Sequence, residues 1–505
     1  MALPGIQQEY GGFDPRYLGV TLRFGNSRTW DLWNSDGALH PSVVLAKPRD
    51  EAFESMSLAT VVTHETRHFH DFLLTPYGNL LFRYRLMALL NGSVVLSEIR
   101  QRSTREQWNC VPVPISVWCR KGPEERERTV RQWNALPGGR VWRPVQLPFL
   151  TGETAADLTP VASAGPDDEF FTRALMETMR NYGCIDELVR NPRTEGRGVP
   201  YQPCHILELS GIIVHIQAVA NLYGEEAGRL FQEVLSEDSG IPYLVILRGL
   251  AELCRQANRP IDCRQMNEVM IWSLLGNHEL DGWRACPTVR FSYLYNSWKE
   301  TGLPRDQKTV MEIFEEWSER AGMATVRSSL SRTLEHNRRL VDQLDRQLTE
   351  RKEYAKFFAG GPTNCLHAWL KATEHTINSF LSDPEAYTWP DEYLENLGAF
   401  VNPPVRYQFD GGAIPGTKQY FEERGYQVYR AGAVDDHQLL VQSMSPPMSM
   451  NGLSFIDRDD AYWLFDWMAV IDVLFAQAGR GDWELNVVPA MMEREHGLRP
   501  LLLLE

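Results

Sequence analysis

Short apolar runs punctuated by Gly, Pro and Asn open the chain. YLGVTLRFG and PSVVLAKP have the length and boundaries of strands, so residues 1 to about 50 read as β-rich. From Asp50 the apolar positions take a helical period. DEAFESMSLATVVTHETRHFHDFLL begins with acidic residues and stops before Pro76, which predicts one long helix. After the TPYG turn, NLLFRYRLMALLNGSVVLSEIRQ reads as a second, strongly apolar helix, weakest at Asn91-Gly92. Residues 105–167 are rich in Pro and Gly and predict an irregular, partly β insertion ending in a linker. Helices resume at Asp168 with EFFTRALMETMRNYG, then the more apolar CHILELSGIIVHIQAVANLYG, then 225–235, 243–257 and 265–276. Residues 306–357 are helical and highly charged, with Leu330, Leu334, Leu340, Val341, Leu344 and Leu348 forming a packing stripe rather than sustained heptads. The last hundred residues mix turns (NPP, DGG, SPPMSMNG) with a Trp-rich helix, DDAYWLFDWMAVIDVLFAQAG.

This pattern predicts an α+β, predominantly helical protein. Its expected divisions are a β region with the first two helices (1–104), the insertion (105–167), a helical segment (168–300), a charged helical segment (301–390) and a mixed C-terminal domain (391–505). Hydrophobic content of 43% and charged content of 23% are ordinary for a folded chain. The net charge of −15 argues against a nucleic-acid or anionic-membrane partner. No basic, apolar leader opens the sequence and no apolar run is long enough for a membrane span. The eight cysteines are scattered without a CxxC pair, as expected of reduced thiols in a cytoplasmic protein.

The chemistry concentrates in VVTHETRHFHDFLL. His64 and His68 lie four apart, so on a helix they share a face and can bind one metal ion. Glu65 is turned by about 100°, beside an open coordination position, where it can take a proton from water. Asp71 returns to the His64/His68 face and is expected to orient a ligand histidine as its hydrogen-bond acceptor. His70 points to roughly the opposite side. The group H-E-T-R-H on a helix after a small β region resembles the zincin metallopeptidases, over the catalytic helix only. It departs from them at Arg67, where an uncharged residue is usual.

The resemblance implies a zincin-like core of a small N-terminal β region, the HExxH helix and a ligand helix, with one zinc per chain. A catalytic zinc takes three protein ligands. The position six after His68 is Leu74, which excludes the metzincin arrangement. The gluzincin arrangement takes a Glu from a later helix, and two fit. Glu208 opens an apolar helix where an unpaired carboxylate is costly, and Gly211 on the same face would let the two helices approach closely. Glu98 ends the second helix and could equally be a solvated residue beside Arg100. His215 shares the face of Glu208; it could donate to a developing oxyanion or be a core histidine bonded to a carbonyl.

The resulting expectation is a zinc metallopeptidase. Zinc would polarise the scissile carbonyl and hold the attacking water, and Glu65 would act as base. His64, His68 and Glu208 would be ligands. The partner would be a peptide or protein substrate, held by strand addition to the N-terminal β region, with a regulatory partner engaged by residues 300–505. The competing expectation is a protein-binding module in which the helix is structural or holds a non-catalytic metal. A third is hydrolysis of a non-peptide amide.

Overall fold

A computed structural model describes residues 10–14, 19–24, 27–35, 37–135, 140–149, 168–190, 202–237, 244–258, 262–301, 308–350, 361–403, 405–409, 429–431, 438–442, 470–475, 492–493 and 497–503. Most of the predicted Trp-rich helix lies outside them; residues 470–475 are helical. The described chain is predominantly helical. Strands β1 (Gly11–Asp14) and β2 (Gly19–Phe24) lead into α1 (Ser27–Asn34), α2 (Pro41–Val44), α3 (Arg49–Leu74) and α4 (Pro76–Glu106). After β3 (Cys110–Val113) come α5 (Ile115–Arg120), α6 (Pro123–Asn134), α7 (Asp168–Arg190), α8 (Pro203–Tyr223), α9 (Glu225–Glu237), α10 (Leu244–Gln256) and α11 (Cys263–Leu274). Then follow α12 (His278–Asp281), α13 (Pro287–Thr301), α14 (Val310–Ala321), α15 (Val326–Glu350), α16 (Gly361–Ser382), α17 (Pro384–Thr388) and α18 (Pro390–Glu395). Strands β4 (Val405–Phe409), β5 (Tyr429–Ala431), β6 (Gln438–Gln442) and β7 (Arg499–Leu502) complete it.

Three local expectations change. Helix α1 falls within the stretch read as β-rich. The run PSVVLAKP supplies the short helix α2, because Pro41 occupies the first helical turn and the His40 ring accepts from the Ser42 amide. The 105–167 insertion contains β3 and two helices among its described residues. Around α3, α4 and α8 the punctuation matches the helix ends, and the expected turns DGG and SPPMSMNG lie outside the described residues. Helix α3 starts with Asp50 and Glu51 in its first turn and stops before Pro76. Thr75 then caps α4, its hydroxyl accepting from the Gly78 amide. Helix α8 starts at a Gln202–His205 capping box with Pro203 in its first turn, and stops at Gly224, whose φ is +100°.

The sheets join distant parts of the chain. One runs β1-β2-β4-β6-β5, with β2 parallel to β4, so N-terminal and C-terminal strands form a single sheet with β1 at its edge. The other pairs β3 with β7 in parallel. In the helical layer, α3 packs on α8, α4 runs along α7, and α11 and α13 cover α8. By length and hydropathy alone α4 and α8 could cross a membrane, with windows of mean hydropathy 1.2 and 1.4. In both, 72% of that window is buried within the protein, as befits core helices.

The flank of α3 beside the two histidines, and His70 on its far side, are held by the chain after α16. Arg67, fully buried, donates from Nη1 to the Tyr387 carbonyl at 2.7 Å and from Nε to Ser210 Oγ at 3.3 Å. Its guanidinium lies 4.3 Å and 4.5 Å from the ring centroids of Tyr387 and Tyr393. Asp71 pairs with Arg67 Nε at 3.1 Å and accepts from Tyr387 Oη at 2.9 Å. His70 meets Tyr393 Oη and the Val401 carbonyl, each at 2.7 Å. It therefore points away from His64 and His68.

Burial lowers the His70 pKa from 6.5 to about 3. Unfolded, the same ring takes a proton near pH 6.5, so its contribution is fully present above that pH. As pH falls, stability is expected to drop by about 1.4 kcal/mol per pH unit on account of this one group, down to about pH 3. Urea denaturation of wild type and His70→Gln checks it: the two stability–pH slopes should differ by that amount between about pH 6 and pH 4. Parallel slopes would show that His70 does not carry the dependence.

Candidate metal centre

Three elements converge on the HETRH segment: α3 itself, α8 and the edge strand β1. His64 and His68 lie one helical turn apart on α3, with their Nε2 atoms 3.0 Å apart. Glu208 enters from α8, its Oε1 3.4 Å from His64 Nε2 and its Oε2 3.3 Å from His68 Nε2. All three side chains are buried. Zinc ligands at about 2.0–2.1 Å in a tetrahedral arrangement stand roughly 3.3 Å from one another. The His64–His68 separation is close to that of two ligands of one small cation, and Glu208 meets each ring through a different oxygen at hydrogen-bonding distance.

Gly211 makes this approach possible. A Cβ there would sit 2.7 Å from His68 Cε1 and 3.0 Å from His64 Cε1. Any larger residue would push the imidazoles off α8 or the helices apart. Helix α8 thus supplies both the carboxylate and, one turn on, the space in which the two rings meet it.

Glu65 is fully buried, and neither of its carboxylate oxygens has a hydrogen-bond partner. His64, Glu65 and His68 each bring a ligand atom within 4.8 Å of the others, a buried His-Glu-His group able to hold a metal ion. Strand β1 lies directly on Glu65: a Cβ at Gly11 would be 3.2 Å from Glu65 Oε1 and 2.4 Å from Val61 Cγ2. The Phe13 amide and the Arg23 charge bear on the same carboxyl without completing a hydrogen bond to it.

Electrostatics separates the two carboxylates. Burial pushes Glu65 well above the usual carboxylate range, and the charge of Glu208 pushes it further. Burial also works against ionised Glu208, but His64 and His68 outweigh it and bring its pKa down to about 2. Burial lowers His64, the adjacent His68 adds to that, and Glu208 opposes both. A neutral imidazole is the form that binds metal.

Of the residues singled out from sequence, His64, Glu65, His68 and Glu208 come together. Glu98 does not: it pairs with Arg102 on α4 at 3.4 Å. Asp71 needs a correction. It is engaged by Arg67 and Tyr387 rather than by a histidine ring, and His68 Nδ1 has no hydrogen-bond partner. The charged Arg67 between the two histidines attracts Asp71 first, at the same four-residue spacing. His215 packs against His64, ring centroids 5.3 Å apart, and against Phe231 at 4.8 Å. Its Nε2 has no hydrogen-bond partner, so that atom does not form the carbonyl bond expected of a core histidine. Sequence reading missed Gly11, Phe13 and Arg23 around Glu65; the only signal was GGF placed before the second strand.

No family model matches the chain, and no curated protein or solved structure matches it. The likeness to zincins rests on HETRH and the helix that carries it, and the zincin fold itself is not established by the small sheet and predominantly helical body.

Gly211→Ala tests the packing. It is expected to lower the affinity for any metal ion held at this group by roughly tenfold or more and to cost about 1–3 kcal/mol through overpacking. Chelator competition and urea denaturation measure the two effects. Unchanged metal affinity would separate Gly211 from the histidine–carboxylate group.

Proposed function

We propose that this chain is a zinc metallopeptidase in which His64, His68 and Glu208 hold the metal and Glu65 is the general base. The observation that carries the reading is one buried constellation: two imidazoles at ligand spacing, with Glu208 meeting both, beside a carboxylate with no hydrogen-bond partner. A carboxyl buried without partners is costly to a fold, and a cation beside it would remove much of that cost. Bound zinc supplies Lewis acidity toward a carbonyl and toward water.

The remaining steps belong to side chains. Glu65 accepts a proton from the attacking water and returns it to the leaving amine. Glu208 and the two histidines stay fixed, since Gly211 leaves the rings no slack against α8. His215, beside His64 with Nε2 uncommitted, is a candidate donor to oxyanion charge. Strand β1, buried at Gly11, Gly12 and Phe13, forms the edge of the described sheet over Glu65, and strand addition by an extended substrate would require that edge to be uncovered. Residues 300–505 would select the substrate or receive a regulatory partner. An amide other than a peptide bond would call on the same groups.

A second reading has its own observation. His64, Glu65, His68 and Glu208 are all buried to within 1% of full burial, as in a closed structural metal site. Elemental mass spectrometry and turnover on a peptide library separate the two readings. We expect about one zinc per chain, lost in His64→Ala, and Glu65→Gln that keeps zinc while losing turnover by roughly 10²–10⁴-fold. Zinc retained in both wild type and Glu65→Gln with no turnover in either supports the structural site. No zinc after reconstitution ends the metal reading.

A further inference from the structure

His64, Glu65, His68 and Glu208 are each 1% exposed or less, so no extended peptide reaches Glu65 while all three walls of the site stay in place. Those walls are α3, α8 and β1. Two of them cannot part without scattering the histidine–carboxylate group. Helix α3 carries His64 and His68, α8 carries Glu208, and the two meet closely at Gly211, where a Cβ would sit 2.7 Å from His68 Cε1. Strand β1 carries none of these side chains. Among the described residues it is the edge of its sheet, four residues long and paired with β2 alone.

Its course is that of an extended chain laid along the HETRH helix. Gly11 and Phe13 share one face of the strand, and that face is turned to α3. A Cβ at Gly11 would stand 2.4 Å from Val61 Cγ2 and 3.2 Å from both Glu65 Cγ and Glu65 Oε1. The Phe13 ring lies 6.5 Å from the His68 ring, 6.5 Å from Phe69 and 4.9 Å from Phe72, centroid to centroid. The strand thus follows α3 from Val61 toward Phe72, in the direction of the helix, with its backbone over Glu65. A glycine at position 11 is what lets the backbone come so near that carboxyl. The strand is also latched where it begins. Tyr10 donates from Oη to Glu54 Oε1 at 3.0 Å, its carbonyl accepts from the Arg23 amide at 2.9 Å, and the largely exposed Arg28 holds Glu54 Oε2 at 3.3 Å. A short edge strand held by one neighbour and a half-buried latch opens at lower cost than the crossing of two long core helices.

We propose that β1 is an autoinhibitory strap: it occupies the path of an extended substrate over Glu65, and its displacement, with α3 and α8 unmoved, opens the site. What enters rests on the peptidase reading above; what moves rests on the packing alone. The full burial of Glu65 is then the resting state of a gated site. Phe13 supplies the hold, Gly11 the fit, and the Tyr10–Glu54 bond the latch.

The test uses the full chain and two variants that loosen β1 by opposite means. Gly11→Val drives a side chain into Val61 and Glu65, and Phe13→Ala removes the ring seated on His68 and Phe72. Access to Glu65 is read by labelling with a water-soluble carbodiimide and glycine methyl ester, located by peptide mass spectrometry, which needs neither metal nor turnover. Amide hydrogen exchange follows α3 and α8 in the same samples. Glu65 should label slowly in wild type and roughly tenfold or more faster in the variants, with exchange in α3 and α8 unchanged, since loss of a buried ring shifts a local opening by at least that factor. The same variants should gain turnover on a peptide library. Faster labelling without any turnover keeps the strap and ends the peptidase reading. If Gly11→Val does not fold, Phe13→Ala decides. Unchanged labelling of Glu65 in the folded variants, or labelling that rises only where α3 and α8 also lose protection, would overturn the strap.

Discussion

The close contact of α3 with α8 at Gly211 is the constraint on which the rest of the arrangement depends. Two imidazoles one turn apart on α3 can face one carboxylate on α8 only where the opposing helix has no side chain at the crossing. At Gly211 the missing Cβ is worth several tenths of an ångström to both rings. Because interiors are close-packed, such a gap is filled by something specific, and here it is filled by the two rings. Glu208 lies one turn before the glycine, so the same crossing that admits the rings delivers the carboxylate to them.

The flank of α3 beside the histidines has to resist displacement, and its chemistry differs. Arg67 and Asp71 form a buried i,i+4 pair, with Tyr387 and Tyr393 stacked on the guanidinium. Removing one member of such a pair is typically far more costly than the pair is stabilising, since it strands a buried charge. The pair therefore acts as a registration device. It fixes the rotation of α3 about its axis, and that rotation decides whether His64, Glu65 and His68 point into the α8–β1 layer. Arg67, which departs from the usual motif, is explained by this second duty: it is oriented by residues some 320 positions later in the chain.

Much of this was legible as local signal. The helix boundaries around Pro76, the shared face of His64 and His68, the cost of an acidic residue in the apolar α8 and the role of Gly211 all follow from periodicity and residue chemistry. What was not legible is long-range. Asp71 was assigned to the histidines because spacing alone places it on their face, but a buried arginine four residues earlier is a stronger partner than an imidazole. Parallel pairing of β2 with β4 joins residues nearly four hundred apart, and no local pattern announces it. PSVVLAKP has β-type composition, yet Pro41 in a first helical turn overrides it.

Glu65 and Glu208 show how one fold gives two carboxyls opposite tasks. Both are buried, so desolvation raises both. Glu208 is rescued by two imidazoles; Glu65 is not, and the charge of Glu208 itself adds to its reluctance to ionise. The difference lies in partners, not in depth. Neutral Glu65 against a sheet edge contributes nothing to holding the fold together that an apolar residue could not do better. Glu65 stands here with both oxygens uncommitted beside two imidazoles and a second carboxylate, and a positive charge placed among His64, His68 and Glu208 would oppose the field of Glu208 on Glu65 and favour its ionised form. The resting cost of that carboxyl is thus tied to the same α3–α8 crossing that assembles the donor set.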